Sequence, residues 1–455
     1  MNKPGEWGKD QQEQGKMIAT FMGTVKHFFG EWGEIFKEVK DGRNPAMITY
    51  PLEELLFTGV LMYLCHLGAR RDINYKLRGN ESAEDKSRQL FRTEHIPHGD
   101  TLDYGFQKLN VEEVQRVVSW MTATLVRKKA LAKWRLFDTY YLVAIDGTGV
   151  LSFSERHCPY CMTQKLSNGT IRYYHPVLEA KLITENGFAF SLMTEFIENR
   201  DLNATKQDCE LNAFYRLAKR LKKQFPRLPM CLLMDGLYAG GPTFKVCEQN
   251  DWKYLIVLSD DDLPDINQEF EALLRMAPDC LRQMELEDGS RQDYRWMNGI
   301  SYTDSNFDQH LLGVLETVAT SQDHQDKEKT NKHKWTTNFT LTSGNLSKLF
   351  STGRSRWKIE NEGFNLQKNG GYRLEHPYSH DDVARKIFYL LLQIAFTIFQ
   401  LMAKGSLFQN AFPKGVGSLK NIAFRLLEAW RNLGCDVCLL DVVVFGRFQI
   451  RLDTS

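Results

Sequence analysis

Hydrophobic and polar positions in the first third of the chain repeat with the spacing of α-helices. Residues 52–67 have an apolar face, Thr101 is a suitable N-cap for a following helix, and residues 111–134 are rich in helix-forming side chains. We therefore predict an all-helical N-terminal domain over residues 1–139.

Near Tyr140 the pattern changes to short apolar runs bounded by turn residues, which is typical of buried strands. Strands are predicted over residues 141–145, 173–183, 188–196, 230–234 and 254–258, and helices over residues 206–223 and 242–249. Asn186-Gly187 is a strong hairpin signal between the second and third strands. The order β-β-β-α-β-α-β predicts an α/β core that begins with residues 140–260.

Residues 261–344 interrupt this order and predict a mostly β insertion. It has a hairpin around Glu287-Asp-Gly-Ser, a strand over residues 313–320 and a polar loop over residues 321–334. Helix resumes near Asn345, so residues 345–404 are predicted to complete the core. The tail, residues 405–455, has a helix over 419–433 and a strand over 442–452.

One stretch, residues 387–403, is apolar enough to suggest a membrane span. It is slightly shorter than the ~20 residues that a span needs, and it contains Gln393, Thr397 and Gln400. We therefore predict a buried core helix and no membrane association.

Composition indicates an ordinary globular protein of several domains. The chain has 455 residues, of which 42% are hydrophobic and 25% charged, and its formal net charge is +1. A nearly neutral protein does not bind nucleic acid over its whole surface, so any such surface must be local. Nine cysteines and an N-terminus without a secretory signal lead us to expect a reduced, cytoplasmic protein.

Two aspartates are the first candidates for chemistry. Asp146 and Asp235 each end an apolar run and are followed directly by glycine. An acidic residue at the end of a buried strand lies in the crevice where open α/β sheets place their sites. Glu360, in Arg356-Trp-Lys-Ile-Glu, is predicted to lie on a helix. Two strand-end aspartates and a helical glutamate can hold two Mg²⁺ ions for phosphoryl transfer, although a turn cap or a surface residue is the simpler interpretation of each one alone.

These three acidic motifs resemble those of cut-and-paste bacterial insertion-sequence transposases, which have a DDE triad on an RNase-H-like fold. The resemblance is to the subgroup with a β-strand insertion, whose glutamate lies in an Arg-Trp-x-Ile-Glu helix, and it covers residues 139–404. It implies an RNase-H-like mixed sheet flanked by helices, with Asp146, Asp235 and Glu360 as catalytic metal ligands. The implied cofactor is two Mg²⁺ ions, for which Mn²⁺ can substitute.

The resemblance also implies an activity and its partners. The protein would be an endonuclease and strand-transfer enzyme of DNA transposition, which cuts at the element's ends and joins the freed 3′-hydroxyl to target DNA. Its partners would be double-stranded DNA, both terminal inverted repeats and target, and a second copy of the chain in the synaptic complex. The helical N-terminal domain is assigned to DNA ends by position alone. The alternatives are an RNase-H-like nuclease without strand transfer and an inactive, transposase-derived DNA-binding protein.

Basic residues near the acidic motifs are candidates for DNA contacts. Arg356 lies one helical turn before Glu360 and is predicted to hold a phosphate, whereas Glu362 would face the opposite side of the helix. The other candidates are Arg354, Lys358, Lys368, Lys222 and Lys223. Two positions depart from the family pattern: Gly353 replaces a tyrosine, and Gln367, followed by Lys368, replaces a lysine.

A Cys-x-x-Cys pair, Cys158 and Cys161, follows Asp146 closely. Zn²⁺ normally takes four ligands, so His157, His175 or Cys209 would have to complete a structural site. Reduced thiols without metal are the alternative. Cys435 and Cys438 form a second pair, for which packing in the core is the simpler interpretation.

Overall fold

The computed structural model describes residues 9–30, 32–200, 206–285, 291–322, 328–434 and 449–452. The predicted strand over residues 442–452, the Cys435–Cys438 pair and the turn around Glu287 lie largely or wholly outside these ranges. The N-terminal part is helical, as expected: α1 (Lys9–Phe29), α2 (Trp32–Phe36), α3 (Leu52–Leu64), α4 (Arg71–Lys76), α5 (Glu81–Phe91), α6 (Gly99–Phe106) and α7 (Val111–Arg127).

The next elements form the α/β core. They are β1 (Tyr141–Phe153), β2 (Met162–Lys165), β3 (Ile171–Ile183), β4 (Ala189–Phe196), α8 (Glu210–Gln224), β5 (Met230–Met234), α9 (Gly241–Gln249) and β6 (Lys253–Val257). Strands β4, β3, β1, β5 and β6 are neighbours in that order. Of these five strands, β3 alone runs opposite to the other four: it pairs antiparallel with β1 and β4, whereas β1 pairs in parallel with β5 and β5 in parallel with β6. This topology confirms the RNase-H-like mixed sheet.

The predicted insertion extends the same sheet. It contains α10 (Pro264–Leu274), β7 (Leu281–Glu285), β8 (Arg291–Thr303), β9 (Gln309–Gln322) and β10 (Glu328–Thr337). Strand β10 pairs with β6, and β9, β8 and β7 follow outward, so the described strands form one ten-stranded sheet. The prediction of a polar loop over residues 321–334 was wrong for its second half, because residues 328–334 belong to β10. Its lysines are accommodated because Lys332 and Lys334 pair with the buried Glu316.

The last described elements are α11 (Leu346–Arg354), a 3₁₀ turn (Ser355–Trp357), a π-helical segment (Ile359–Phe364), α12 (Asn365–Asn369), α13 (Asp382–Lys404), α14 (Ser406–Ala411) and α15 (Leu419–Asn432). Asp381 is the N-cap of α13, and its carboxylate accepts hydrogen bonds from the Val383 and Ala384 amides. Among the described helices, α13 is the one long and apolar enough to cross a membrane. However, 94% of its most apolar 18-residue stretch is buried inside the protein. This burial is typical of the core helix of a soluble protein.

The N-terminal helices pack on the core without a break in the hydrophobic interior. Helices α3 and α7 contact α13, and α7 also contacts β4. The Ser119 and Thr122 hydroxyls of α7 donate hydrogen bonds to the backbone carbonyls of Leu192 and Ser191 on β4. One hydrophobic cluster therefore includes side chains from both parts.

Two predicted helix boundaries were wrong in the N-terminal part. Thr101 lies inside α6, whose N-cap is His98, since the His98 ring accepts the Asp100 amide proton. Helix α7 ends at Arg127, and a 3₁₀ turn at Ala132–Trp134 follows.

Candidate active site

Asp146 and Asp235 lie side by side because of the register between two parallel strands. Ala144 of β1 is opposite Leu233 of β5, and each aspartate comes two residues later in its own chain segment. Asp235 follows the last residue of β5, and its carboxylate caps the short turn that comes next by accepting the Leu237 amide at 3.0 Å. The prediction of a strand-end aspartate is confirmed for this residue.

Asp146, by contrast, lies within a strand and not at its end. Strand β1 continues to Phe153, and Asp146 is opposite Glu179 of β3. The glycines that follow Asp146 predict a turn locally, but pairing with the long strand β3 keeps the segment extended. The side chain is still accessible, with 21% of its surface exposed.

Arg356 and Glu360 approach the same carboxylate from the helical segment after α11. The Arg356 Nη1 atom lies 3.5 Å from the Asp146 Oδ2 atom, and the negative charge of Glu360 contributes to the raised pKa of Asp146. Glu360 is in the π-helical segment, a geometry that often occurs at functional sites. Glu362 points elsewhere: its carboxylate lies near Gly187, and its charge acts on the Lys404 ammonium.

A fourth carboxylate, Glu210, completes the group and was missed by the sequence analysis. It is the first residue of α8, and its Oε1 atom lies so close to Gly147 that a β-carbon there would come within 2.3 Å of it. Any larger residue at position 147 would therefore have to displace the Glu210 carboxylate. The Asp-Gly pair was visible in the sequence, but nothing local indicates which distant residue occupies the space beside the glycine.

Burial and the charges of neighbouring carboxylates raise the pKa of Asp146 and of Glu210. Burial raises the pKa of Asp146 to about 6; the Arg356 charge opposes this shift, and the charges of Asp235 and Glu360 add to it. Burial, together with the charges of Asp146 and Asp235, raises the pKa of Glu210 to about 7. A site that holds several carboxylates against this cost is a candidate for cation binding.

The donor set fits Mg²⁺, which binds oxygen ligands and is commonly held by carboxylates. Nearby, the buried Tyr238 hydroxyl has no hydrogen-bond partner among the described residues, and the charges of Glu210, Asp235 and Asp146 add to the effect of burial in raising the pKa of Tyr238. In the described part of the chain, no three of the carboxylates bring oxygen atoms within 4.8 Å of one another. The acidic side chains thus lie near one another without forming a closed set of metal ligands. One of them, Asp146, is paired with Arg356.

The basic candidates fall into two groups. Arg354, Trp357 and Lys358 line a shallow cleft of about 580 Å³ together with Glu362, and Glu360 is not among the residues that line it. Lys222 and Lys223 are in the last turn of α8, about 18 Å along the helix from Glu210, so they are not part of this site.

The two departures from the family pattern have structural causes. A β-carbon on Gly353 would come within 2.6 Å of the Trp335 ring, so a tyrosine does not fit there. Gln367 is fully buried and donates a hydrogen bond to the Gln393 side chain, which also accepts one from Lys181. Lys368 lies 3.5 Å from the Glu375 carboxylate.

A separate group of thiols and imidazoles lies at the far end of β1. His157, Cys158, Cys161 and His175 each place one potential ligand atom within 4.8 Å of the other three. Cys209, which the sequence offered as a ligand, is not in this group and is exposed. Burial and the nearby Arg385 charge lower the pKa of His175 to about 3, so its ring is neutral at physiological pH.

Comparison with protein families gives a match in the N-terminal part of the chain. The family model described as DDE_Tnp_1-associated matches residues 33–121, which include α3 to α6 and most of α7. No curated protein matches the chain. The match supports a transposase-related protein. The matched residues do not include Asp146, Asp235, Glu360 or Glu210.

Proposed function

We propose that this transposase-related chain is a DNA transposase that binds the ends of its element, cleaves a strand there and transfers the 3′-hydroxyl into target DNA. One observation supports the proposal above all others: Asp235, Glu360 and Glu210 lie close enough to Asp146 for their charges to interact, with Arg356 paired to Asp146. The family match lies in a different part of the chain and supports the same class of protein independently.

Asp146, Asp235 and Glu360 would hold two Mg²⁺ ions, with Glu210 as an additional carboxylate close to them. When bound, Mg²⁺ lowers the pKa of an attacking water or 3′-hydroxyl and stabilises the leaving oxygen. The carboxylates supply the negative charge that binds the cations, and the β1–β5 pairing keeps two of them at a constant separation. Strand positions are rigid, so the arrangement can be maintained while DNA enters and leaves.

Arg356 is the residue that we assign to the scissile phosphate. Its guanidinium pairs with Asp146, and its Nε atom is buried without a hydrogen-bond partner among the described residues. A phosphate can accept that proton and a second one from the same guanidinium plane. Trp357, which is 52% exposed and lies 4.9 Å from the Arg356 guanidinium, is available to stack on a base.

Other parts of the proposal follow from the reaction. Synapsis of two element ends requires at least a dimer in the DNA complex, and the N-terminal helices are assigned to DNA-end binding. The protein would act in the cytoplasm, where the seven described cysteines, all free thiols, remain reduced.

The experiment that tests the proposal is a cleavage and joining assay on DNA that contains the repeats flanking the gene. We expect Mg²⁺-dependent nicking at the repeat ends and a product in which the freed 3′ end is joined to target DNA. Cleavage without any joined product would indicate the nuclease. Binding of the repeats without cleavage would indicate an inactive DNA-binding descendant, and neither activity would refute the assignment.

Glu210 gives a prediction specific to this chain. Glu210→Gln is expected to raise the Mg²⁺ concentration for half-maximal cleavage by about tenfold, because it removes one anionic group from the metal site. The rate at saturating Mg²⁺ should change by less than about threefold, since the three other carboxylates remain. Glu185→Gln, at an exposed turn, is the matched control. An unchanged Mg²⁺ dependence in the Glu210 variant would contradict its placement at the metal site.

A further inference from the structure

The thiol–imidazole group at the end of β1 has the composition and the spacing of a metal site that is independent of the acidic one. We propose that His157, Cys158, Cys161 and His175 bind one structural Zn²⁺ ion. Three of these residues lie in the connection between β1 and β2, and His175 is on β3, opposite Leu151 of β1. This site is separate from the proposed reaction and can be tested without DNA.

Four of the six distances between ligand atoms lie within or close to the range of tetrahedral zinc, and all six are below 4.8 Å. The Cys158 and Cys161 sulfurs are 3.5 Å apart. The His175 Nε2 atom is 3.4 Å from each sulfur, and the His157 Nδ1 atom is 3.2 Å from the Cys161 sulfur. With Zn–S near 2.3 Å and Zn–N near 2.0 Å, tetrahedral ligands lie roughly 3.3–3.8 Å apart. A disulfide, at about 2.0 Å between sulfurs, is not formed here.

Burial favours a closed structural site over a catalytic one. Cys161 is fully buried and His175 is 1% exposed, whereas His157 and Cys158 are half-buried. Four protein ligands saturate tetrahedral zinc, which leaves no position for water or substrate. Among the described residues, the two thiols have one another and the two imidazole rings as hydrogen-bond partners, and thiols are weak hydrogen-bonding groups.

The position of the site suggests what the ion does. Residues 154–161 have no helix or strand, so a metal would fasten this connection to β3 at the end of the strand that contains Asp146. The Asn199 side chain donates a hydrogen bond to the Cys161 carbonyl and accepts one from the Asp208 amide. Gln207 pairs with Thr163 through both backbone and side chain. These hydrogen bonds link the β1–β2 connection and the start of β2 to residues 207 and 208, which lie just before α8 and Glu210.

The first test is metal analysis of the full-length protein purified without chelator and with a reductant. We expect about one zinc ion per chain, and replacement by Co²⁺ should give the visible absorption of a tetrahedral site with two thiolates. Removal of the metal with a strong chelator should lower the melting temperature. Zn²⁺ should restore it and Mg²⁺ should not. A wild-type protein that binds neither Zn²⁺ nor Co²⁺ would refute the proposal.

Variants locate the site. Cys158→Ser is expected to reduce bound zinc to below about a tenth of an ion per chain, and His175→Gln should do the same. Cys209→Ser, which changes an exposed cysteine outside the group, should retain a full ion. Loss of zinc in the Cys209 variant but not in the Cys158 variant would overturn the assignment. If the variants do not fold, the Co²⁺ spectrum of the wild type, with or without two thiolate ligands, still decides the question.

Discussion

Asp146→Asn is expected to lower Mg²⁺-dependent cleavage by at least about a thousandfold, which corresponds to ~4 kcal/mol of activation free energy. The substitution keeps the shape of the side chain but removes the charge that would bind the cation at the centre of the acidic group. Binding of the terminal repeats should persist, because binding of the phosphate backbone does not depend on this one residue. The measurement is single-turnover cleavage together with a gel-shift titration.

The same variant should not be less stable than the wild type in the absence of metal. The pKa of Asp146 is raised to about 6 in the folded protein, so its ionisation costs stability as pH rises from about 4 to 6, and that cost persists at neutral pH. Removal of the charge relieves the cost, whereas loss of the Arg356 ion pair offsets part of the gain. At pH 7.5 in EDTA we expect a melting temperature equal to or above that of the wild type.

Asp251→Asn is the control for this prediction. It changes an exposed aspartate whose backbone has a positive φ, which asparagine tolerates, and it should leave cleavage unchanged. A lowered melting temperature together with lost DNA binding in the Asp146 variant would mean that the residue supports the fold and not the reaction.

Glu360→Gln is expected to reduce cleavage by at least about a hundredfold, whereas Glu362→Gln should change it by less than about threefold. The two residues are matched in type and in helical segment, but Glu360 acts on Asp146 while Glu362 acts on Lys404. The comparison of the two variants therefore tests the position of the carboxylate and not merely its charge. Single-turnover rates over a range of Mg²⁺ concentrations would separate weaker metal binding from slower chemistry.

The reverse order, with Glu362→Gln the more damaging, would transfer the metal ligand to the other side of the helix. Equal and small effects in both variants would remove this segment from the catalytic site and would leave Asp146, Asp235 and Glu210 as the only acidic candidates.

The local pattern of apolar and polar residues was sufficient to predict most of the helices and strands of the core. Strand β5 agrees with the prediction at both ends, and β3, β4, β6, α9 and α15 agree within about two residues. These elements are buried on one or both faces, so their apolar residues recur with the period of the element and mark its limits. Asp235 was found for the same reason, since it follows a buried strand directly.

Strands with polar sequences, and the distant strands with which a segment pairs, could not be predicted from this local pattern. Strand β10 has a mostly polar sequence and was predicted as a loop over residues 328–334, yet pairing with β6 and β9 stabilises it. Asp146 was placed at a strand end because the glycines after it suggest a turn, whereas its partner strand β3 extends the pairing. In both cases hydrogen bonds to distant strands outweigh local propensity.

The sequence by itself determined the α/β class, and it predicted Asp146, Asp235 and Glu360 as the acidic site and Cys158 and Cys161 as possible zinc ligands. Only the tertiary structure decided that Glu210 lies against Gly147, that Arg356 pairs with Asp146, and that His175 rather than Cys209 joins the thiols. The reason is physical. Periodicity records whether each residue is buried, which is a local property, whereas the meeting of side chains far apart in the chain depends on strand register and helix packing.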